Sequence, residues 1–209
     1  MAELTGFDSD VKTDFLLGHF FPELCDDKIN TLKFLQASRG VVALIDKFGK
    51  VFSPLSYDIS GNINKLQKSY ETNPKKYTFI EDLILCDRNE NGVAVDALLW
   101  LQRALHFLLL FFMEIVKDMD KSESLQKHMT SAYSQALEPY HGWITRNLFR
   151  CFRSMVPKRS VLLSAISEDK DSEEVIKDLE VYVKNLETNV NHIIMFYKES
   201  DLSMESKVP

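Results

Sequence analysis

Three polar side chains lie on one predicted helix at a spacing that lets them bind a ligand together. Asp58, Asn62 and Lys65 occur at i, i+4 and i+7 in the segment DISGNINK, and such positions project from one helix face. A carboxylate accepts hydrogen bonds, an ammonium donates them, and an amide does both. The row predicts a site for a polyhydroxyl ligand, although a solvated helix face often shows the same pattern.

A glycine interrupts the same predicted helix. Gly61 lies between Asp58 and Lys65, and a glycine inside a helix costs about 1 kcal/mol relative to alanine. This cost calls for a reason, such as the close approach of something bulky. A sugar or a neighbouring helix would both serve.

Aromatic and imidazole side chains supply further candidate contacts. Trp100 offers a flat surface on which a sugar ring can stack, and Asp96 stands one helical turn before it. His141 follows Pro139 and offers another polar contact. Trp143 completes the run YHGW and is a candidate for membrane docking, because Trp and Tyr favour the headgroup level of membranes. Each of these residues is also common in an ordinary core.

Helical periodicity dominates the chain, and no convincing strand pattern appears. We expect Pro139 to kink one long helix, since proline lacks an amide donor. The predicted helices are 30–48, opened by Asn30 or Thr31; a second carrying 58–70 and opened by Pro54; a third opened by Pro74 and holding Phe79, Leu83 and Ile84; 95–116; 125–156; 160–166; and 173–198. No linker divides the chain, which predicts a single domain over residues 1–209.

Composition excludes several classes of function. The net charge of −6 argues against nucleic-acid binding, which favours basic patches. The apolar stretch 98–116 contains no clean run near the ~18 residues of a spanning helix, so we expect a buried helix. Three distant cysteines and no metal-ligand cluster predict a reduced, cytoplasmic protein without metal or cofactor.

The DISGNINK segment, Trp100 within LLWLQR, and the YHGW run occur in the order seen in one known family. With these motifs the chain resembles the glycolipid transfer protein family over nearly its whole length. The resemblance implies an all-α fold, a two-layer helical sandwich of about eight helices. It also implies that one sphingolipid binds, its headgroup on a surface site and its hydrocarbon chains between the layers.

The resemblance also implies individual roles. Asp58 would hold the ceramide amide N–H and a sugar hydroxyl, while Asn62 and Lys65 would bind further hydroxyls. Trp100 would stack beneath the sugar ring, and His141 would donate to the ceramide amide oxygen. A site that binds both the N–H and the oxygen of the amide distinguishes ceramide lipids from glycerol esters, which lack the N–H.

For the hydrocarbon pocket, the resemblance points to an apolar set whose side chains can collapse on one another. The set is Ile45, Phe52, Leu55, Phe107, Phe111, Leu137, Phe149, Leu162 and Tyr182. We expect an expandable pocket rather than a rigid hole.

The headgroup choice depends on charge. Relatives that carry ceramide phosphate place cations where this chain has Asn62, Asp96 and Trp100, and a carboxylate would repel a phosphate. A neutral sugar is therefore favoured, as in galactosylceramide, glucosylceramide or lactosylceramide. The tail 204–209 lacks the tyrosine that the best-known members place near their end.

We expect a monomer that moves glycosphingolipids between membranes by transient surface contact. Ceramide-1-phosphate transfer and a glycolipid sensor or adaptor of the same fold are the alternatives. A hydrolase using Asp58 and His141 is disfavoured, because neither G-x-S-x-G nor H-E-x-x-H occurs.

Overall fold

A computed structural model describes residues 19–89 and 92–202, which are mainly helical. No β-strand occurs among these residues, and two isolated bridges join Cys25 to Lys28 and Asn30 to Phe79. The α-helices are α1 (Thr31–Lys47), α2 (Ser53–Thr72), α3 (Ile80–Asp87), α4 (Val93–Lys117), α5 (Gln126–Ala136), α6 (Trp143–Ser154), α7 (Arg159–Ile166) and α8 (Ser172–Glu199). Short 3-10 helices cover Lys50–Phe52 and Glu138–Tyr140.

Local caps explain where several helices begin. The Asn30 side chain accepts a hydrogen bond from the Lys33 amide at 3.0 Å, which caps α1. Pro54 lies in the first turn of α2, where its missing amide costs nothing. Asp87 Oδ2 accepts from the amide of Ala94 at 2.7 Å and so stabilises the start of α4.

The core is built around α4, which packs against α2, α3, α5 and α8. By length and composition alone α4 would suit a membrane span, yet 56% of its most apolar window is buried inside the protein. Its residues Leu98, Leu101, Phe112 and Ile115 are almost wholly buried. It is therefore the central helix of the core, as its interrupting polar residues predicted.

Two helix predictions need correction. The third helix begins at Ile80 rather than at Pro74, because the preceding backbone pairs with an extended segment. The amide of Thr31 donates to the carbonyl of Thr78 at 2.9 Å, and that of Ile80 to the carbonyl of Ile29 at 2.9 Å. The carbonyls of Thr78 and Ile29, which accept in this bridge, hold the segment before Ile80 in an extended conformation, so the helix starts only at Ile80.

The predicted helix 125–156 is broken rather than kinked. α5 ends at Ala136, and a 3-10 turn carrying Pro139 follows. His141 then adopts extended backbone with φ −98° and ψ 131°, before α6 begins at Trp143. The missing amide of Pro139 removes a helical hydrogen bond, and the break lets His141 face α4 instead of continuing a helix.

Candidate functional site

The row on α2 contains a largely buried asparagine whose amide makes no hydrogen bond to the described protein. Asn62 is 6% exposed, and nothing in the described part of the chain hydrogen-bonds to its side chain. Asp58 and Lys65 are exposed beside it. Partial burial raises the pKa of Asp58, and the nearby Lys65 ammonium lowers it by a smaller amount. Buried polar groups are almost always paired, so the Asn62 amide is suited to an external partner.

Gly61 faces open space. A Cβ built on Gly61 would meet no atom within 4 Å apart from its own helix and chain neighbours. Close approach of a neighbouring helix, one of two expected reasons for this glycine, is therefore wrong. The room beside Asp58 and Lys65 is compatible with the other reason, a bulky ligand.

A second row lies on α4 and repeats the spacing of the first. Asp96 is exposed, Trp100 is half-buried, and Arg103 follows at i+7 with only 2% of its surface exposed. The Arg103 guanidinium carbon lies 4.8 Å from the centre of the Trp100 ring and 3.7 Å from that of Tyr140. The buried guanidinium therefore packs on the indole ring in a cation–π contact.

His141 joins this cluster from the break between α5 and α6. Its ring stacks on Trp100 at 6.3 Å between centres and 23° between planes. Its Nδ1 lies 3.1 Å from the Tyr133 hydroxyl oxygen. Burial lowers the pKa of His141, and the charges of Arg103 and Arg146 lower it further. The ring is therefore neutral at physiological pH.

The structure thus brings Trp100 and His141 into contact, while Asp58, Asn62 and Lys65 form a separate row on the neighbouring helix. Sequence reasoning missed Arg103 and Tyr133 as members of the site. The spacing of Arg103, three residues after Trp100, was a usable signal, because i and i+3 are neighbours on a helix. Nothing local marked Tyr133, whose contact depends on the chain break.

An apolar cavity lies between α1, α2, α4, α5 and α7, with a volume of about 80 Å³. Seven residues of the predicted pocket line it: Ile45, Phe52, Leu55, Phe107, Phe111, Leu137 and Leu162. The lining also includes Val41, Leu44, Phe48, Ile59, Ala104, Leu108, Phe112, Met129, Val156 and Pro157, which were not predicted.

Phe149 and Tyr182 do not line this cavity. Phe149 stacks on Tyr133 with 3.5 Å between ring centres and 7° between planes, so it supports the His141 partner. Tyr182 is fully buried and packs edge-on against Phe21 and Phe112. These two aromatic rings therefore pack behind the wall of the lipid-free cavity, and their place in an enlarged hydrocarbon pocket stays a prediction.

The cavity is too small for a hydrocarbon chain as it stands. An apolar cavity of roughly 150 Å³ binds a single benzene molecule, and the volume found here is about half of that. Admitting an acyl chain therefore requires the lining side chains to move. Phe48, Phe52 and Phe107 are suited to this, since ring rotation opens space without exposing polar groups.

Polar and apolar groups are segregated along α2 and α4. On α2, Leu55 and Ile59 line the cavity, whereas Asn62 and Lys65 follow them toward the other end. On α4 the order is reversed, with Trp100 before the cavity residue Phe107. Because α2 and α4 pack together, this pair can hold a polar head and an apolar tail.

Some predictions fall outside the described residues. α6 begins at Trp143, but the side chain of Trp143 is not described, so its docking role stays a prediction. The tail 203–209 is likewise outside the described range, as are residues 1–18. No group of three His, Cys, Asp or Glu side chains suited to a metal occurs in the parts described.

Comparisons with known proteins agree on one family. The sequence model of the family "Glycolipid transfer protein (GLTP)" matches residues 29–168. Glycolipid transfer protein A of Xenopus laevis is 31% identical over 205 residues, covering 92% of this chain and 98% of that protein. This chain belongs to the glycolipid transfer protein family.

Solved structures agree with this assignment. The GLTP-fold structure described as showing how FAPP2 selects simple glycosphingolipids matches with a TM-score of 0.81 at 27% identity, covering 92% of this chain and 95% of that one. Mouse ceramide-1-phosphate transfer protein matches with a TM-score of 0.78 at 21% identity, covering 86% and 92%, which shows a shared fold alone. The expected all-α sandwich of about eight helices is confirmed, and lipid transfer is the class of function that the family defines.

Proposed function

We propose that this protein binds one glycosphingolipid and transfers it between membranes. The sugar lies over the α2 row and against Trp100, and the hydrocarbon chains enter the apolar cavity. Asp58 and His141 hold the ceramide amide between them. Galactosylceramide, glucosylceramide and lactosylceramide are the proposed cargo.

The largely buried Asn62, with its amide unpaired within the described chain, carries this proposal. It is 6% exposed and is not hydrogen-bonded to any described protein group, yet it sits in a row with a carboxylate and an ammonium. A sugar hydroxyl both donates and accepts, so neighbouring hydroxyls can satisfy an amide, a carboxylate and an ammonium together. Open space at Gly61 leaves room for the ring.

The charges favour a sugar over a phosphate. Asp58 and Asp96 present exposed carboxylates on the two helices, and they would repel a phosphate dianion. Arg103 could attract one, but its guanidinium is buried against Trp100 and Tyr140. A phosphate would have to displace both aromatic rings to reach it, whereas a sugar can use the indole face as it stands.

Transfer of this kind needs no energy source. Each buried methylene of a lipid chain is worth about 0.8 kcal/mol, so a free ceramide in water is strongly disfavoured. A bilayer and an apolar pocket bury the chains about equally. The protein then acts by shielding the chains during passage, without forming or breaking a covalent bond.

We further propose that the first residues of α6, with Trp143, contact the membrane during uptake and release, and that the protein works in the cytoplasm. Arg150 and Arg153 on α6 are exposed and lie near the exposed apolar side chains of Leu148 and Met155. Such a mixed basic and apolar face suits a lipid headgroup region.

Competition between cargo lipids tests the headgroup assignment. Fluorescent galactosylceramide is moved between two vesicle populations while unlabelled galactosylceramide or ceramide-1-phosphate is added at matched chain length. We expect unlabelled galactosylceramide to compete strongly and ceramide-1-phosphate weakly. Stronger competition by the phosphate lipid would contradict the proposal. A substitution of Asn62 by Lys provides the matched control, since it should shift the preference toward the phosphate.

A further inference from the structure

The two nitrogens of His141 have different surroundings. Nδ1 lies 3.1 Å from the Tyr133 hydroxyl, whereas no hydrogen bond to Nε2 is found within the described residues. A neutral imidazole has one N–H donor and one acceptor nitrogen. The Tyr133 hydroxyl meets no other acceptor in the described chain, so donation to Nδ1 is the arrangement that would satisfy its proton within the protein. The ring's own proton then resides on Nε2.

We propose that Tyr133 fixes His141 in the tautomer that carries its proton on Nε2. The site thereby presents one permanent N–H donor to an oxygen of the bound lipid. Tyr133 acts as a positioning residue, since it works through His141. The lipid contact of Nε2 rests on the function proposed above, but the protonation state of the ring does not.

Packing holds Tyr133 in place for this role. Its ring stacks on Phe149 with 3.5 Å between centres, and its hydroxyl meets His141 from α5. Burial raises the pKa of Tyr133, and the nearby Glu138 carboxylate raises it further against a smaller opposite effect of Arg146. The phenol therefore keeps its proton and remains a donor.

Charges around His141 oppose a second proton. Arg103 lies on α4 and packs on the Trp100 ring, and the His141 imidazole stacks on the same ring. Arg146 approaches from α6, where its Nε donates to the His141 carbonyl at 2.8 Å. Two carboxylates belong to this region: Glu138 of the 3-10 turn acts on Tyr133, and Asp96 lies on the α4 row with Trp100 and Arg103. Burial and the two arginines together lower the pKa of His141.

The tautomer decides what the site selects. A proton on Nε2 offers a donor to an amide oxygen, as a ceramide has. A proton on Nδ1 would instead turn a lone pair toward that oxygen, so the interaction would become repulsive. Loss of the tautomer preference should therefore weaken binding without changing the shape of the site.

Nitrogen-15 NMR of the imidazole rings in the whole lipid-free protein tests the tautomer directly between pH 7 and 8. We expect His141 to show a protonated Nε2 and an unprotonated Nδ1. Tyr133→Phe should move both signals toward a mixture of tautomers, whereas the matched control Tyr140→Phe, which also removes one hydroxyl beside the cluster, should leave them unchanged. Protonation of Nδ1 in the parent protein, or no change in Tyr133→Phe, would overturn the inference.

The same signals test Arg103. Arg103→Met should raise the pH at which His141 titrates, and Arg103→Lys should largely restore the parent behaviour. Unchanged titration in a folded Arg103→Met protein would refute the role of the charge. If the methionine variant does not fold, Arg103→Gln removes the same charge while keeping a polar side chain, and unchanged titration of His141 in that protein would refute the role equally.

Vesicle transfer of galactosylceramide separates this inference from the proposed function. Tyr133→Phe should slow transfer by about fivefold, the worth of one ordinary hydrogen bond. A mixed tautomer with unchanged transfer would overturn the lipid contact of Nε2 while leaving the protonation state as inferred. Unchanged tautomer with slower transfer would overturn the inference and leave the proposed function standing.

Discussion

Asn62 and Asn189 form a matched pair for testing whether the α2 row awaits a ligand. Both are buried helical asparagines, with 6% and 0% exposure. The Asn189 amide nitrogen donates to the carbonyls of Pro22 at 2.8 Å and Asn185 at 2.9 Å. The Asn62 side chain has no such bond among the described residues. Leucine is similar to asparagine in shape. Replacing Asn189 with leucine removes two hydrogen bonds to backbone carbonyls, whereas replacing Asn62 removes none within the described protein.

The expected free energies follow from these contacts. Asn189→Leu strands the Pro22 carbonyl in the core, which costs about 1–3 kcal/mol. Asn62→Leu leaves no described protein group without its partner, so the free energy of unfolding should change by less than about 1 kcal/mol. Glycolipid transfer should respond in the opposite way, with a loss of about tenfold or more for Asn62→Leu and little change for Asn189→Leu.

Two assays are sufficient. Urea denaturation without lipid gives the free energy of unfolding, and vesicle transfer of galactosylceramide gives the rate, both at pH 7.5. If Asn62→Leu were destabilised as much as Asn189→Leu, the Asn62 amide would be satisfied inside the protein. The argument for an external sugar partner would then fail. Full transfer by a stable Asn62→Leu protein would refute it as well.

Four further outcomes are expected. Gly61→Ala should raise the unfolding free energy by about 0.5–1 kcal/mol, because the new methyl meets open space in a helix, while transfer slows; faster or equal transfer would exclude a sugar at this position. Trp100→Ala should slow transfer strongly with helicity retained by circular dichroism, and unchanged transfer would count against stacking. Trp143→Ala should weaken vesicle association more than lipid affinity in solution, and equal loss of both would indicate a core residue. Stability should be fully present above about pH 6.5 and fall as the pH drops below it, because burial lowers the folded pKa of His106 and His141 and the unfolded chain then takes up protons first. A flat stability profile from pH 7 to 5 would contradict that reasoning.

Helix positions followed from the sequence where the determinants are local. Asn30 caps α1 through its own side chain, and Pro54 lies in the first turn of α2. The start of α3 did not follow, because it depends on pairing between segments some 50 residues apart. The break at Pro139 was located correctly but understated, since the geometry after a proline depends on what the freed backbone contacts.

The site residues likewise divide into those that local spacing predicts and those that depend on tertiary contacts. The rows on α2 and α4 could be predicted because helical spacing alone places their members on one face. The contacts of His141 with Tyr133 and Trp100 could not, because they join three elements across a chain break. The exclusion of Phe149 and Tyr182 from the cavity wall also depends on tertiary packing. An aromatic residue on a buried face can line a cavity or support the wall behind it, and its type does not distinguish the two.

The shared use of α2 and α4 has a consequence for selectivity. Trp100 lies two turns before Phe107, which lines a cavity that must enlarge before a chain can enter. Phe107 also packs edge-on against Phe149, which in turn stacks on Tyr133, the partner of His141. Movement of Phe107 on chain entry would therefore act on the support of His141, the residue proposed to bind the amide. We expect that occupation of the cavity and orientation of His141 depend on each other through this contiguous packing.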